Sequence, residues 1–258
     1  MGRRRRRHGP ADKMTNELLL WKKVAEPRRS AKEELLAPSE SRPVWVSNAL
    51  KALVDSLACL ERPLVLDLGR VCGDNISFLG ALGCRVYAHD LLRDYQEAAE
   101  KAPPASPEKE GEESEADPWK RVLDGLDYAP GSLHGVLCWD ILDMLPQTWA
   151  RELVRRISRM LAVGGFILSF FGSNRACKEG VRVGFRILDR DRLEPIPDVT
   201  SHPGRRFYQN GEIMRIFSEF SILNFYLMRN SYREVLVQKR TTAYILARTG
   251  RGVLPSFS

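Results

Sequence analysis

Residues 65–73 read Val65-Leu66-Asp67-Leu68-Gly69-Arg70-Val71-Cys72-Gly73. With Leu64 the stretch opens on a continuous apolar run behind Pro63, as a strand buried on both faces requires. The run ends in an acid, and glycines follow at 69 and 73. Glycine lets a backbone approach a ligand closely and adopt positive φ. Ile76, Leu79 and Leu82 then recur at helical spacing, so a helix begins just past the turn and stops at Gly83. Its first N–H groups have no partner within the helix and suit a carboxylate.

The same order repeats downstream of this unit. Cys84 to Ala88 reads as a second strand, ending in His89-Asp90, and Leu92 to Lys101 as a helix. Gly135 to Trp139 is a third strand. A helix follows from about Pro146 to Leu161, ended by Gly164-Gly165, and Phe166 to Phe171 is a fourth strand. Strands alternating with helices predict a parallel sheet with crossover helices, an α/β fold. Residues 172–209 are rich in Arg and Pro and read as loops over one face. Glu212 to Phe220 reads as a helix. Ser221–Met228 and Arg233–Gln238 read as a hairpin around Asn230-Ser231, with Tyr244–Ala247 as a further strand or the alternative partner. Upstream, Leu50, Leu53, Val54, Leu57 and Leu60 predict a helix from Val44 to Leu60, approached through Ser41 to Pro43.

Composition bounds the rest. The chain has 258 residues, 43% hydrophobic and 28% charged, enough for one domain with a sizeable core or two small ones. Collagen-like, fully disordered and disulfide-scaffold classes are excluded. The longest apolar stretch, Met160 to Phe171, contains two glycines and is shorter than the roughly 18 residues of a membrane span, so no transmembrane helix is expected. Of the formal charge of +7, the tail carrying Arg3 to Arg7 holds a net +5 and the stretch 101–118 a net −4, leaving a mild excess of +6 over the rest that by itself implies no partner. That tail is either an arm able to touch nucleic-acid phosphates or an upstream extension of the reading frame, since Met14 opens a more typical start. Ala102 to Pro118 is Pro-, Glu- and Ser-rich and reads as a disordered acidic insertion. The expected organisation is a basic extension over 1–43, one domain over 44–249 carrying the insertion 102–118, and a tail over 250–258.

Cys59, Cys72, Cys84, Cys138 and Cys177 are odd in number and form no C-x-x-C pair, so reduced and mostly buried thiols are expected, with a cytoplasmic location. No apolar run follows the basic N-terminus, so it reads as no signal peptide. His8, His89, His134 and His202 fit no metal-binding spacing, and no metal site is expected. G-x-G-x-x-G, a P-loop and a G-x-S-x-G elbow are absent. Arg186, Arg190, Arg192, Arg205 and Arg206 form either a solvated charged surface or a grip for an anionic substrate.

Asp67, Gly69 and Gly73 resemble the first motif of the class I S-adenosylmethionine-dependent methyltransferases, an acid followed by glycines at every second position. Val71 stands where the middle glycine belongs. Asp90 ends the second strand, where the family and the general dinucleotide rule place an acid on the ribose hydroxyls. The stretch Leu126 to Leu145, LDYAPGSLHGVLCWDILDML, resembles the family's approach to the methyl group. The family's third strand and its adenine-contacting acid are not recognisable, with Asp124 the nearest acid. No N-P-P-Y-type motif follows strand four.

The resemblance implies a three-layer α/β/α Rossmann-like fold closed by an antiparallel C-terminal hairpin. It implies S-adenosyl-L-methionine as cofactor, held by Asp67, Gly69, Gly73 and Asp90, and methyl transfer to a small-molecule acceptor. Asp140 is the one acid placed to act as a base. Trp139 either lines the methyl pocket or packs the core. The other reading is a non-catalytic descendant, kept as an interaction or regulatory module. It draws on Val71 and on the missing adenine acid.

Overall fold

The computed structural model describes residues 42–101, 117–173, 182–198, 205–228 and 232–240. Their elements in chain order are β1 (Trp45–Val46), α1 (Asn48–Leu57), β2 (Leu64–Asp67), α2 (Gly73–Ala81), β3 (Arg85–Ala88), α3 (Leu91–Glu100) and α4 (Pro118–Asp124). Then come β4 (Leu133–Trp139), α5 (Ile141–Met144), α6 (Gln147–Met160), β5 (Leu161–Gly172), β6 (Arg182–Ile187), β7 (Arg192–Asp198), α7 (Asn210–Ile216), β8 (Phe220–Leu227) and β9 (Tyr232–Lys239).

The main sheet runs β3-β2-β4-β5-β9-β8. The first four strands are parallel, with Leu66 opposite Tyr87 on one side and Val136 on the other. β9 is antiparallel to β5, and β8 to β9, so the sheet closes in a C-terminal hairpin. This is the expected α/β/α Rossmann-like arrangement, down to that hairpin. Tyr244 to Ala247 lies outside the described residues.

Alternation along the central strands builds two cores. Leu66, Val136, Ile167 and Val235 face α6 and α7, while Val65, Leu137, Leu168 and Leu236 face α1. On α6 the buried residues are Ala150, Leu153, Val154, Ile157 and Met160, a stripe at helical period, with Arg155 and Arg156 paired to Glu152 outside. α1 is capped by Ser47, whose hydroxyl accepts from Leu50 N–H and donates to the buried Glu234 carboxylate at 2.5 Å.

Four expectations are corrected. The helix read from Val44 is preceded by strand β1 and ends at Leu57. The helix before the glycine pair stops at Met160, and Gly164 and Gly165 lie within β5. Asp117 and Pro118, read as part of the insertion, open α4: Asp117 caps it through Trp119 N–H and accepts from Trp149 Nε1. Residues 102–116 lie outside the described residues.

The largest correction concerns 172–209. β6 and β7 form an antiparallel hairpin that pairs with β1 in a second sheet, ordered β1-β7-β6. Val183, Phe185 and Ile187 alternate at period two in β6, a strand signal that the Arg- and Pro-rich surroundings, with Pro195 and Pro197 in β7, outweigh in the loop reading. Phe185, Ile187 and Leu193 nevertheless point into the α1-side core.

Candidate ligand site at the carboxyl edge of the sheet

The chain leaves β2 toward β3 on one side and returns to β4 on the other. The carboxyl ends of β2 and β4 therefore flank a topological switch point, where open α/β sheets form their ligand crevice. Asp67 ends β2 and Trp139 ends β4.

Asp67 is 2% exposed, and burial raises its carboxyl pKa against the hydrogen bonds that lower it. Its Oδ1 accepts from Gly69 N–H at 3.0 Å, which ties the glycine turn to the strand end. The same oxygen accepts from Trp139 Nε1–H at 2.6 Å. The indole therefore lies over Gly69: a Cβ built there would sit 2.3 Å from Trp139 Cδ1. Gly69 does permit close approach, and the group that approaches is a side chain of the same protein.

A cover sits on the indole. Phe185 of β6 stacks on it at 5.3 Å between ring centroids, 16° from parallel. Asn75, in the first turn of α2, fastens this hairpin to the helix start. Its Nδ2 donates to Phe185 O at 2.9 Å and its Oδ1 accepts from Ile187 N–H at 2.7 Å. Between Gly69, Arg70, Trp139, Ile141 and Phe185 the free space is about 10 Å³. That is barely one water, whereas small-molecule sites usually offer about 300 Å³ or more. Trp139 also has φ of +47°, uncommon for a bulky residue.

The other sequence-chosen residues are scattered around this crevice. Gly73 is the first residue of α2, with nothing within 4 Å of a Cβ built on it. Val71, at the missing-glycine position, is exposed. Asp90 caps α3, accepting from Arg93 N–H at 3.2 Å. Asp124 pairs with Arg156 on the surface, and His89 shares a 2.6 Å hydrogen bond with Tyr128.

Asp140 lines the same small space as Trp139 and belongs to a buried charge cluster. Its carboxylate meets Arg205 Nη2 at 2.9 Å, and the same nitrogen meets Asp143 Oδ2 at 3.3 Å, all three side chains being 2% exposed or less. Arg205 Nη1 donates to Tyr232 Oη, and Gly172 N–H donates to Asp143 Oδ2 at 2.6 Å. Burial pushes the Asp143 carboxyl up to about 7 despite the guanidinium beside it. A base must reach the proton it removes; Asp140 instead neutralises a buried arginine. Of the other four arginines, Arg186 meets Glu194 and Asp74, Arg190 meets Asp55, Arg192 meets Asp189 and Arg206 meets Glu212.

Sequence reasoning missed Asn75 and Phe185, which no motif marks. Among the described residues no group of three or more His, Cys, Asp or Glu would hold a metal ion, and no helix is long and apolar enough to cross a membrane. Cys84 and Cys138 are buried, Cys72 is half-buried and Cys59 is exposed. Cys177 and the arginine tail lie outside the described residues.

No family model matches the sequence, and no curated protein resembles it at a significant level. The solved structures to which it is similar include several methyltransferases. The 1,6-didemethyltoxoflavin N1-methyltransferase of Burkholderia thailandensis, with 1,6-didemethyltoxoflavin and S-adenosylhomocysteine bound, is 18% identical over 76% of this chain and 80% of that one, with a TM-score of 0.42. An S-adenosylmethionine-dependent methyltransferase from Clostridium acetobutylicum is 11% identical over 90% and 100% of the two chains, TM-score 0.45. Magnesium protoporphyrin IX methyltransferase from Synechocystis, with S-adenosylmethionine bound, is 14% identical over 86% and 91%, TM-score 0.39. The strand order and register, rather than these distant likenesses, carry the fold.

Proposed function

We propose that this chain is a descendant of the class I methyltransferases that works as a non-catalytic binding or regulatory module, its donor crevice filled by its own side chains. The observation that carries this reading is the Trp139 indole on Gly69. S-adenosylmethionine would need the space that indole and Phe185 take, and about 10 Å³ remains. The residues present do not fit the cofactor in this arrangement. Asp90 has work as a helix cap, and Asp140 has work in a buried ion pair. Neither needs a ligand to explain it.

The second reading is S-adenosylmethionine-dependent methyl transfer to a small molecule. It is favoured by the strand order and by Asp67 holding the Gly69 turn at the switch point. It requires Trp139 and the β6–β7 hairpin to move. Calorimetric titration with S-adenosylmethionine and S-adenosylhomocysteine separates the two. The first reading expects no heat at 1 mM ligand (about −4 kcal/mol of affinity). Saturable binding at micromolar concentration would restore the second.

A further inference from the structure

We propose that the outer edge of β8 is a self-association surface, on which a second copy of this chain adds its own β8, antiparallel, about a two-fold axis at Tyr226. The proposal is independent of what fills the crevice at Gly69.

Four strands form the edges of the two sheets among the described residues, and three of them are short or charged. β1 is two residues long. β3 is four residues long, carries Arg85, and has the Tyr128 ring against Tyr87 at 5.0 Å between centroids. β6 carries Arg182 and Arg186. Short length, charge and a covering group are the usual ways in which a sheet edge is kept from pairing. β8 has eight residues, FSILNFYL, with neither a charge nor a proline. Its one irregularity lies between Ile222 and Asn224, so the ladder from Asn224 to Leu227 is regular.

The direction of the free backbone groups follows from the hairpin. Met228 N–H donates to Tyr232 O at 2.7 Å. Leu227 then lies opposite Arg233, Tyr226 opposite Glu234 and Phe225 opposite Val235. Facing pairs in an antiparallel ladder alternate between hydrogen-bonded and not. The backbone of Tyr226 therefore bonds to β9. The N–H and C=O of Phe225 and Leu227 point to the open side, where no described strand lies.

That spacing is self-complementary. With a two-fold axis at Tyr226, Leu227 of each copy exchanges both main-chain hydrogen bonds with Phe225 of the other. The two Tyr226 residues then face each other as a non-hydrogen-bonded pair with Cα atoms about 4.5 Å apart, where aromatic side chains meet. No like charges oppose one another, because β8 has none. The side chains at the end of the strand point the same way. Val44, Val46, Tyr226 and Leu227 are all exposed and wall one groove of about 580 Å³, with Leu227 at 76%. A contiguous apolar patch of that kind marks an interaction surface.

The experiment is sedimentation equilibrium of the whole chain beside two variants. Tyr226→Lys sets two like charges across the axis, and Leu227→Lys changes a side chain exposed enough to leave folding intact. The native chain is expected to be dimeric at tens of micromolar and to dissociate on dilution. Both variants are expected to be folded by circular dichroism and monomeric. Tyr226→Cys tests the axis. With oxidised glutathione it should form a disulfide-linked dimer, absent from the native chain and from Leu223→Cys, which the same axis holds far from its own copy. A native chain that stays monomeric at every concentration overturns the proposal and leaves the edge to a strand of another protein. A dimer that survives both lysine variants overturns it by placing the interface elsewhere. Cross-linking through Leu223→Cys in place of Tyr226→Cys overturns the two-fold register.

Discussion

Gly69 and Gly73 look alike in the sequence and differ in what surrounds them. Gly69→Ala would push a methyl group to 2.3 Å from the indole, and Trp139 is held on its far side by Phe185. Overpacking of that kind costs about 1–3 kcal/mol. Gly73→Ala meets open space and should change stability by no more than about 0.5 kcal/mol. Urea unfolding of the two variants checks the contrast, and equal stabilities would mean that the indole does not lie on the turn. Arg205 gives a second contrast. It meets the buried carboxylates Asp140 and Asp143 at 2.9 and 3.3 Å. Arg205→Met leaves them facing each other and should cost about 3–5 kcal/mol. Asp143 also sets a pH dependence. Its folded pKa of about 7 lies above the ordinary aspartate value of 3.8, so the folded state binds the extra proton between those values. Stability from this group is full below about pH 4 and falls as pH rises through 7. Asp143→Asn should flatten that slope in a series of melts from pH 4 to 8, and an unchanged slope would remove Asp143 as its source.

Two elements decide whether the crevice is a site. The β6–β7 hairpin reads as loop in the sequence although Val183, Phe185 and Ile187 alternate with Arg182, Gly184 and Arg186; the prolines at 195 and 197 hide the partner strand. Its strand character comes from pairing with β1 and from Asn75, which lies more than 100 positions away in sequence. Asn75→Ala deletes a donor to Phe185 O and an acceptor for Ile187 N–H, each a buried bond whose loss costs about 1–3 kcal/mol. The β6 amides should then exchange with solvent markedly faster than those of β4 and β5. Uniform exchange would show that the hairpin is held by its apolar face alone. Helix α3 carries the parallel test for Asp90. As its cap, Asp90→Ala should lower stability by about 0.5–2 kcal/mol. A ribose contact would instead predict unchanged stability and lost ligand affinity.

For the whole molecule the measurable consequence of a filled crevice is silence toward ligand. A protein binding S-adenosylhomocysteine at 10 μM would gain about 2.7 kcal/mol at 1 mM ligand, several degrees of melting temperature. The native chain should gain none.

The α/β order, the central strands, the helix on each side of them and the C-terminal hairpin could be read from residues alone. Each is written in local periodicity: a three-residue apolar run ahead of Asp67 for β2, a 3.6-residue stripe for α6, the apolar run from Phe166 for β5. Asp67 and Gly69 were legible for the same reason, since an acid and a glycine at a strand end are neighbours in sequence. The fate of that turn was not. Trp139, Phe185 and Asn75 reach Gly69 and α2 from other elements, and a one-dimensional motif holds no record of which distant side chain fills the space a glycine leaves. Asp140 shows the limit as clearly. Its position after β4 suggested a base, but its chemistry is set by Arg205, brought to 2.9 Å by the approach of the loop before α7. Local pattern determines which elements form. Whether the groove between them is open or already occupied depends on close packing among residues far apart in the chain.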